Sequence, residues 1–152
     1  MTDLIKVQHD DFNVAEQYQQ LIQNNQQDGA VVFFVGLVRD FNQQQSIKSL
    51  TLEHYPAMTE KVLNLIVEQA REKWPLGRIS VVHRVGTMQL GEQIVFVGVT
   101  SQHRQAAFEA GQFIMDILKT QAPFWKKEQT EQGSHWVDAK ESDQTQAQTW
   151  LK

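Results

Sequence analysis

The stretch Gly98-Val-Thr-Ser-Gln-His-Arg-Gln-Ala-Ala-Phe-Glu-Ala-Gly-Gln-Phe-Ile-Met-Asp-Ile-Leu-Lys119-Thr-Gln-Ala-Pro-Phe-Trp-Lys-Lys-Glu128 reads as a strand end, a long helix and a turn stopped by proline. At 100° per residue, Ala107, Ala110, Ile114 and Leu118 fall on one stripe, which should face a sheet. Phe108, Gly111, Met115 and Lys119 fall on an adjoining stripe, and Phe108 and Met115 read as core. Cations stand at both ends of this helix. His103 and Arg104 lie at the start, Lys119 near the finish, and Lys126 and Lys127 just beyond.

Upstream, Asn13 is placed to cap a short helix with Val14, Tyr18, Leu21 and Ile22 on one stripe. Asp28-Gly29 signals a turn. Ala30 to Val38 is a continuous apolar run, the pattern of a buried strand, and it ends at Arg39-Asp40. Phe41 to Ser46 reads as a Gln-rich loop, and Ile47 to Tyr55 alternates like a second strand. Pro56 opens a helix at a position where its missing N–H costs nothing. Met58, Val62, Leu65, Ile66 and Ala70 form its expected apolar face, and Trp74-Pro75-Leu76-Gly77 stops it. Arg78 to Val85 and Gln93 to Thr100 read as strands joined by a loop bearing Gly86 and Gly91. Phe124 to Gln129 and Ser134 to Ala139 suggest a hairpin, and the polar tail from Lys140 a frayed helix. The unit from Ile47 to Val85 is expected to cross over right-handed within one sheet. Together these elements predict a single α+β domain over 1–152, a two-layer arrangement of helices on a mixed sheet. Small hairpin elements are expected at about 39–49 and 124–139.

Composition narrows the chemistry. With no cysteine in the chain, disulfides, thiolate metal sites and a cysteine nucleophile are excluded, so any sulfur chemistry needs sulfur from a partner. His9, His54, His83, His103 and His135 have no close ligand spacing, so no metal and no cofactor is expected. No apolar run approaches the ~20 residues of a membrane span, and the first residues do not read as a signal peptide, so a cytoplasmic location is expected. The formal net charge is −4. Local cations on an acidic protein suggest a site for a small anion rather than a nucleic-acid surface.

His103 and Arg104 stand where a strand hands over to a helix, among free backbone N–H groups that favour an anion. A guanidinium there adds bidentate recognition of phosphate or carboxylate. Simple exposure is the plainer alternative, and Arg39 at a strand end is a similar case. Lys119 reads equally as a cation complementing the helix C-terminus. Arg104 and Lys119 are fifteen residues apart, roughly 22 Å along a straight helix, so one protomer cannot bring both to one end of a small molecule. An antiparallel pairing of this helix across a two-fold axis would do so.

Several longer words resemble the large, catalytic subunit of molybdopterin synthase. They are Leu50-Thr-Leu-Glu-His-Tyr-Pro-Ala-Met-Thr-Glu-Lys61, Trp74-Pro-Leu-Gly-Arg78, Ile94-Val-Phe-Val-Gly-Val-Thr-Ser101, Phe108-Glu-Ala-Gly-Gln-Phe-Ile-Met-Asp116 and Ala122-Pro-Phe-Trp-Lys126, with His103, Arg104 and Lys119 between. The likeness runs from about Asp28 to Asp143. It implies an α/β hammerhead-type fold with an added small β subdomain. It further implies a homodimer with one small ubiquitin-like sulfur-carrier subunit at each end, a heterotetramer. The implied activity is that of a sulfurtransferase. It would convert cyclic pyranopterin monophosphate (precursor Z) to molybdopterin by two sulfur transfers from the small subunit's thiocarboxylated C-terminus. The resemblance casts Lys119 and Lys126 as catalytic. Arg39, His103, Arg104, Lys126, Lys127 and Glu128 would bind substrate. The chain departs from the family pattern at Leu37, where a basic residue is more usual, and at Lys127 and Lys140, where arginine is common. A lysine cannot reproduce a bidentate guanidinium contact.

The competing reading is a non-catalytic module whose cationic pocket receives an acidic or carboxylate peptide tail. Turnover of a pterin phosphate separates the two.

Overall fold

The computed structural model describes residues 3–42, 45–130 and 133–137. The tail from Lys140, with its expected frayed helix, lies outside them. In chain order the elements are β1 (Leu4–Gln8), α1 (Val14–Ile22), β2 (Ala30–Leu37), β3 (Phe41–Asn42), β4 (Gln45–His54), α2 (Pro56–Lys73) and β5 (Ile79–Arg84). They continue with β6 (Gly86–Gln89), β7 (Gln93–Ser101), α3 (Arg104–Gln121), β8 (Phe124–Thr130) and β9 (Gly133–Val137).

Local chemistry sets the helix starts. The Asn13 side chain accepts the Glu16 N–H at 3.1 Å and caps α1. Pro56 opens α2 behind an extended Tyr55, as its fixed φ favours. Past the end of α2, the Arg71 guanidinium binds the Asp3 carboxylate and the carbonyls of Leu76 and Gly77. One side chain thereby ties the start of β1 to the turn that launches β5.

Two sheets form, joining helices and strands in the expected α+β class. The first runs in the order β1-β5-β7-β2, with β1 parallel to β5 and the other pairs antiparallel. Strand alternation gives it two apolar faces. Ile79, Val81, Val95, Val97 and Val99 pack with Leu63, Ile66 and Val67 of α2 and with Ala110, Phe113, Ile114 and Leu118 of α3. Val82 and Phe96 point the other way, onto Leu21 of α1 and Phe12. That approach is close: a Cβ at Gly98 would lie 2.6 Å from Leu21 Cδ1.

The second sheet has the order β3-β4-β8-β9, with β6 also paired to β4. Leu52, Met88 and Val38 form its own small core, and Ile94 packs against both this cluster and the larger one.

Four expectations need correction. The crossover from β4 through α2 to β5 does not lie within one sheet, because β4 finds its partners in β6 and β8. Its half-apolar alternation suits a small sheet with one covered face. The segment expected as a Gln-rich loop carries β3 and the start of β4, which pair at Phe41↔Ser46. β2 is an edge strand rather than a buried one, with Phe33 42%, Phe34 46% and Leu37 56% exposed. On α2 the buried stripe is Thr59, Leu63, Ile66, Val67 and Ala70, while Met58 and Leu65 face solvent.

Candidate functional site: a cavity with two lysines

The site follows from how α3 ends. The helix closes on Ala122, Pro123 turns the chain, and Phe124 enters β8 opposite His54 of β4. The chain therefore doubles back, and β8 returns Lys126 beside Lys119. Along β8 the pleat puts Phe124, Lys126 and Glu128 on one face and Lys127 on the other.

Where the two sheets meet the C-terminal end of α3 there is a cavity of about 210 Å³. Lys119, Lys126 and His83 line it together. The rest of its wall is apolar and includes Phe34 and Leu37 of β2, Leu50 and Leu52 of β4, and Met115 and Phe124. Among the described residues that line it there is no carboxylate. A second hollow of about 370 Å³ lies between β2 and α3, and Phe34, Met115 and Lys119 border both. Phe108, expected in the core, is instead 61% exposed on this side, whereas Met115 is buried as expected. The hollow is bordered by Gly111, which has no side chain to fill it.

His83 is the residue that reasoning from sequence missed. It follows Ile79 and Val81 on the same face of β5, the face that α3 covers. Its ring stacks on Phe124 at 4.0 Å between centroids and 20° between planes. Its Nδ1 lies 2.8 Å from the Arg84 carbonyl oxygen, which can only accept, so Nδ1 carries the proton. Burial pushes the imidazole down to about pKa 4, against the Arg84 carbonyl, which raises it; Lys126, His54 and Lys119 lower it further. His54, also near Phe124, is lowered by burial and then by His9, with Glu60 opposing. The signal for His83 was an imidazole at a core-facing register position.

The other sequence candidates lie elsewhere. His103 is the N-cap of α3 but makes no side-chain cap, and with Arg104 it is exposed at the far end of the helix. Arg39 is exposed two residues beyond Leu37 of the cavity wall. Glu128 shares the face of Lys126, paired to Leu50, without lining the cavity. Lys127 lies on the opposite face of β8, and Lys140 is outside the described residues.

A pair of ammonium groups beside apolar walls, contributed by both sheets and the end of α3, is chemically suited to a small anion. The chain belongs to the MoaE protein family, whose model matches residues 7–121. It is 59% identical over 139 residues to the molybdopterin synthase catalytic subunit of Escherichia coli (strain K12), covering 91% of this chain and 92% of that one. Among solved structures it resembles the molybdopterin biosynthesis MoaE protein from Burkholderia ambifaria MC40-6, with a TM-score of 0.85 and 42% identity over 99% of both chains. A more distant fold likeness, TM-score 0.70 and 21% identity over 90% of both chains, is to a chain of a complex between subunits 1 and 2 of molybdopterin-converting factor from Helicobacter pylori 26695. Among the described residues no helix is long and apolar enough to cross a membrane.

Proposed function

We propose that this chain is the catalytic subunit of a molybdopterin synthase, a cytoplasmic sulfurtransferase. It converts precursor Z to molybdopterin by two sulfur transfers from the thiocarboxylated C-terminus of a small ubiquitin-like subunit. The observation that carries this reading is the convergence of Lys119 and Lys126 on one largely apolar cavity. Such a site favours an anion over a neutral ligand, since two ammonium groups converge beside apolar walls that weaken screening by water. The absence of cysteine fits an enzyme whose sulfur arrives on a partner. Being similar to proteins named catalytic subunits supports the existence of that partner.

Lys119 holds the thiocarboxylate and moves protons as sulfur adds to the pterin side chain, and Lys126 assists it. Arg39, His103 and Arg104 bind the cyclic phosphate and pterin, Lys127 adds an outer phosphate contact, and Glu128 either orients Lys126 or contacts the pterin. The ~22 Å between Arg104 and Lys119 supports drawing these groups from two protomers of a homodimer, which two small subunits complete as a heterotetramer. The exposed apolar side chains Phe34, Leu37 and Phe108 supply a surface that such a pairing would cover.

The test is reconstitution. The purified chain, a thiocarboxylated small subunit and precursor Z are mixed and molybdopterin is measured. Product is expected only with all three present. Tight capture of the small subunit's tail without turnover would favour the binding-module reading instead.

A further inference from the structure

The lysine cavity holds one polar group that the proposed reaction leaves unused. Two of its lining residues are cations, and all the others except His83 are apolar, with only the weak thioether of Met115 as an acceptor. Among the described residues of the wall, His83 is therefore the one conventional side-chain acceptor. Its orientation is fixed twice, by the stack on Phe124 and by the bond from Nδ1–H to the Arg84 carbonyl. That tautomer leaves the lone pair on Nε2. Among the described residues no buried side-chain nitrogen or oxygen lacks a partner. Nδ1 makes the ring's recorded hydrogen bond, so Nε2 is the edge that opens to the cavity.

An anion-ended peptide offers a matching pattern. Its terminal carboxylate or thiocarboxylate needs cations, and the backbone N–H of the terminal residue needs an acceptor. A cavity of ammonium groups alone would satisfy the first and leave the second desolvated, which is costly. We propose that His83 is the tail-recognition residue of this cavity, its Nε2 accepting the last backbone N–H of the peptide whose terminal anion Lys119 and Lys126 hold. The proposal rests on the reading of the cavity as the receiver of the small subunit's C-terminus. An imidazolium would donate and could not play this part. The groups acting on the ring all keep it neutral at pH 7 except the Arg84 carbonyl: burial first, then Lys126 of β8, His54 of β4 and Lys119 of α3.

The experiment is a double-mutant cycle read by binding, with carboxylate standing in for thiocarboxylate. The partner is the small subunit ending in Gly-Gly, or a semisynthetic form ending in Gly-sarcosine, in which a methyl group replaces the last N–H. Each is titrated into the wild-type protein, His83→Phe, which keeps the stack on Phe124, and His83→Asn, which keeps a donor for the Arg84 carbonyl. Wild type should lose about tenfold in affinity on N-methylation, the order expected of one hydrogen bond. Each variant should bind the normal tail about tenfold more weakly and be indifferent to N-methylation. His83→Gln should recover part of the loss, because its longer side chain carries an amide oxygen out to the place of Nε2, which the shorter asparagine does not reach. The wild-type arm needs no substitution, so it stands if a variant fails to fold. Equal N-methyl penalties in wild type and in both variants would sink the assignment of His83 alone. No binding of the tail by wild type would overturn this proposal together with the reading of the cavity.

Discussion

The two ends of α3 carry charge of the same sign in opposite surroundings. At the N-terminus, His103 and Arg104 stand exposed, next to the positive end of the helix dipole and to N–H groups that no side chain caps. Exposed to water, their charges are screened, so what they offer is reach. At the C-terminus, Lys119 complements the dipole and meets Lys126 and a neutral imidazole in a pocket of aliphatic and aromatic walls. The contrast separates two tasks. Cations in water attract and orient a mobile anion, while cations at a low-dielectric pocket stabilise charge as it shifts during reaction.

If that division holds, substitutions at the two ends should fail differently. The largest effect is expected of Lys119→Ala. The side chain is exposed at the rim, so the variant should keep its melting temperature. Turnover should fall by about 10²–10⁴-fold, the usual cost of losing one acid–base group. A loss below tenfold in a folded protein would reduce Lys119 to a helix-end cation.

The next effect sharpens the contrast through stability. His83 has its pKa held near 4 in the folded protein against 6.5 for the free group. Between those values the unfolded chain binds a proton that the folded one does not, so stability falls as pH drops from about 6.5 towards 4. The full difference is on the order of 3 kcal/mol. Urea unfolding of wild type and His83→Phe at pH 7, 5 and 4 measures it. The variant should lose less stability on acidification than wild type, and parallel curves would show that the imidazole does not titrate this way. Arg104→Ala should leave the wild-type curve unchanged. Its own defect should instead appear as a KM raised about tenfold with kcat little altered, as for lost ground-state binding. A fall in kcat as large as that of Lys119→Ala would erase the distinction between the ends.

The sequence carried the helices and the first sheet well, because those elements bury one periodic face. Asn13, Pro56 and the Ala107–Leu118 stripe each act through local geometry, which neighbouring residues reveal. β1 was not recognised, since Leu4–Gln8 is short and is held by parallel pairing to a strand far along the chain. β6 hid among the glycines after Val85, where its pairing to β4 outweighs local turn preference. β2 misled for another reason. An apolar run does not say whether its cover comes from the same chain, and here Phe33, Phe34 and Leu37 remain uncovered. Lys119 and Lys126 could be named from resemblance. That both face a cavity with His83 depends on the reversal at Pro123 and on the pairing of β8 with β4, which no local pattern records.

The smallest effect expected tests whether the two ends of α3 work in one site at all. Within one protomer they are roughly 22 Å apart, too far for one small substrate. In the proposed two-fold dimer, each site takes Arg104 and His103 from one protomer and Lys119 and Lys126 from its partner. Arg104→Ala and Lys119→Ala proteins, each impaired alone, are mixed and allowed to exchange subunits. In a mixed dimer one site then receives both substitutions and the other receives neither. Random exchange makes half the dimers mixed, each with one intact site of two, so about a quarter of wild-type activity should appear above the two parents. The assay is run well below saturating substrate, where the weak binding of Arg104→Ala adds least. Sites built within one chain would all retain a defect, and mixing would restore nothing. Exchange is followed independently, by mass-tagged subunits, so that a lack of recovery after proven exchange counts against a shared site.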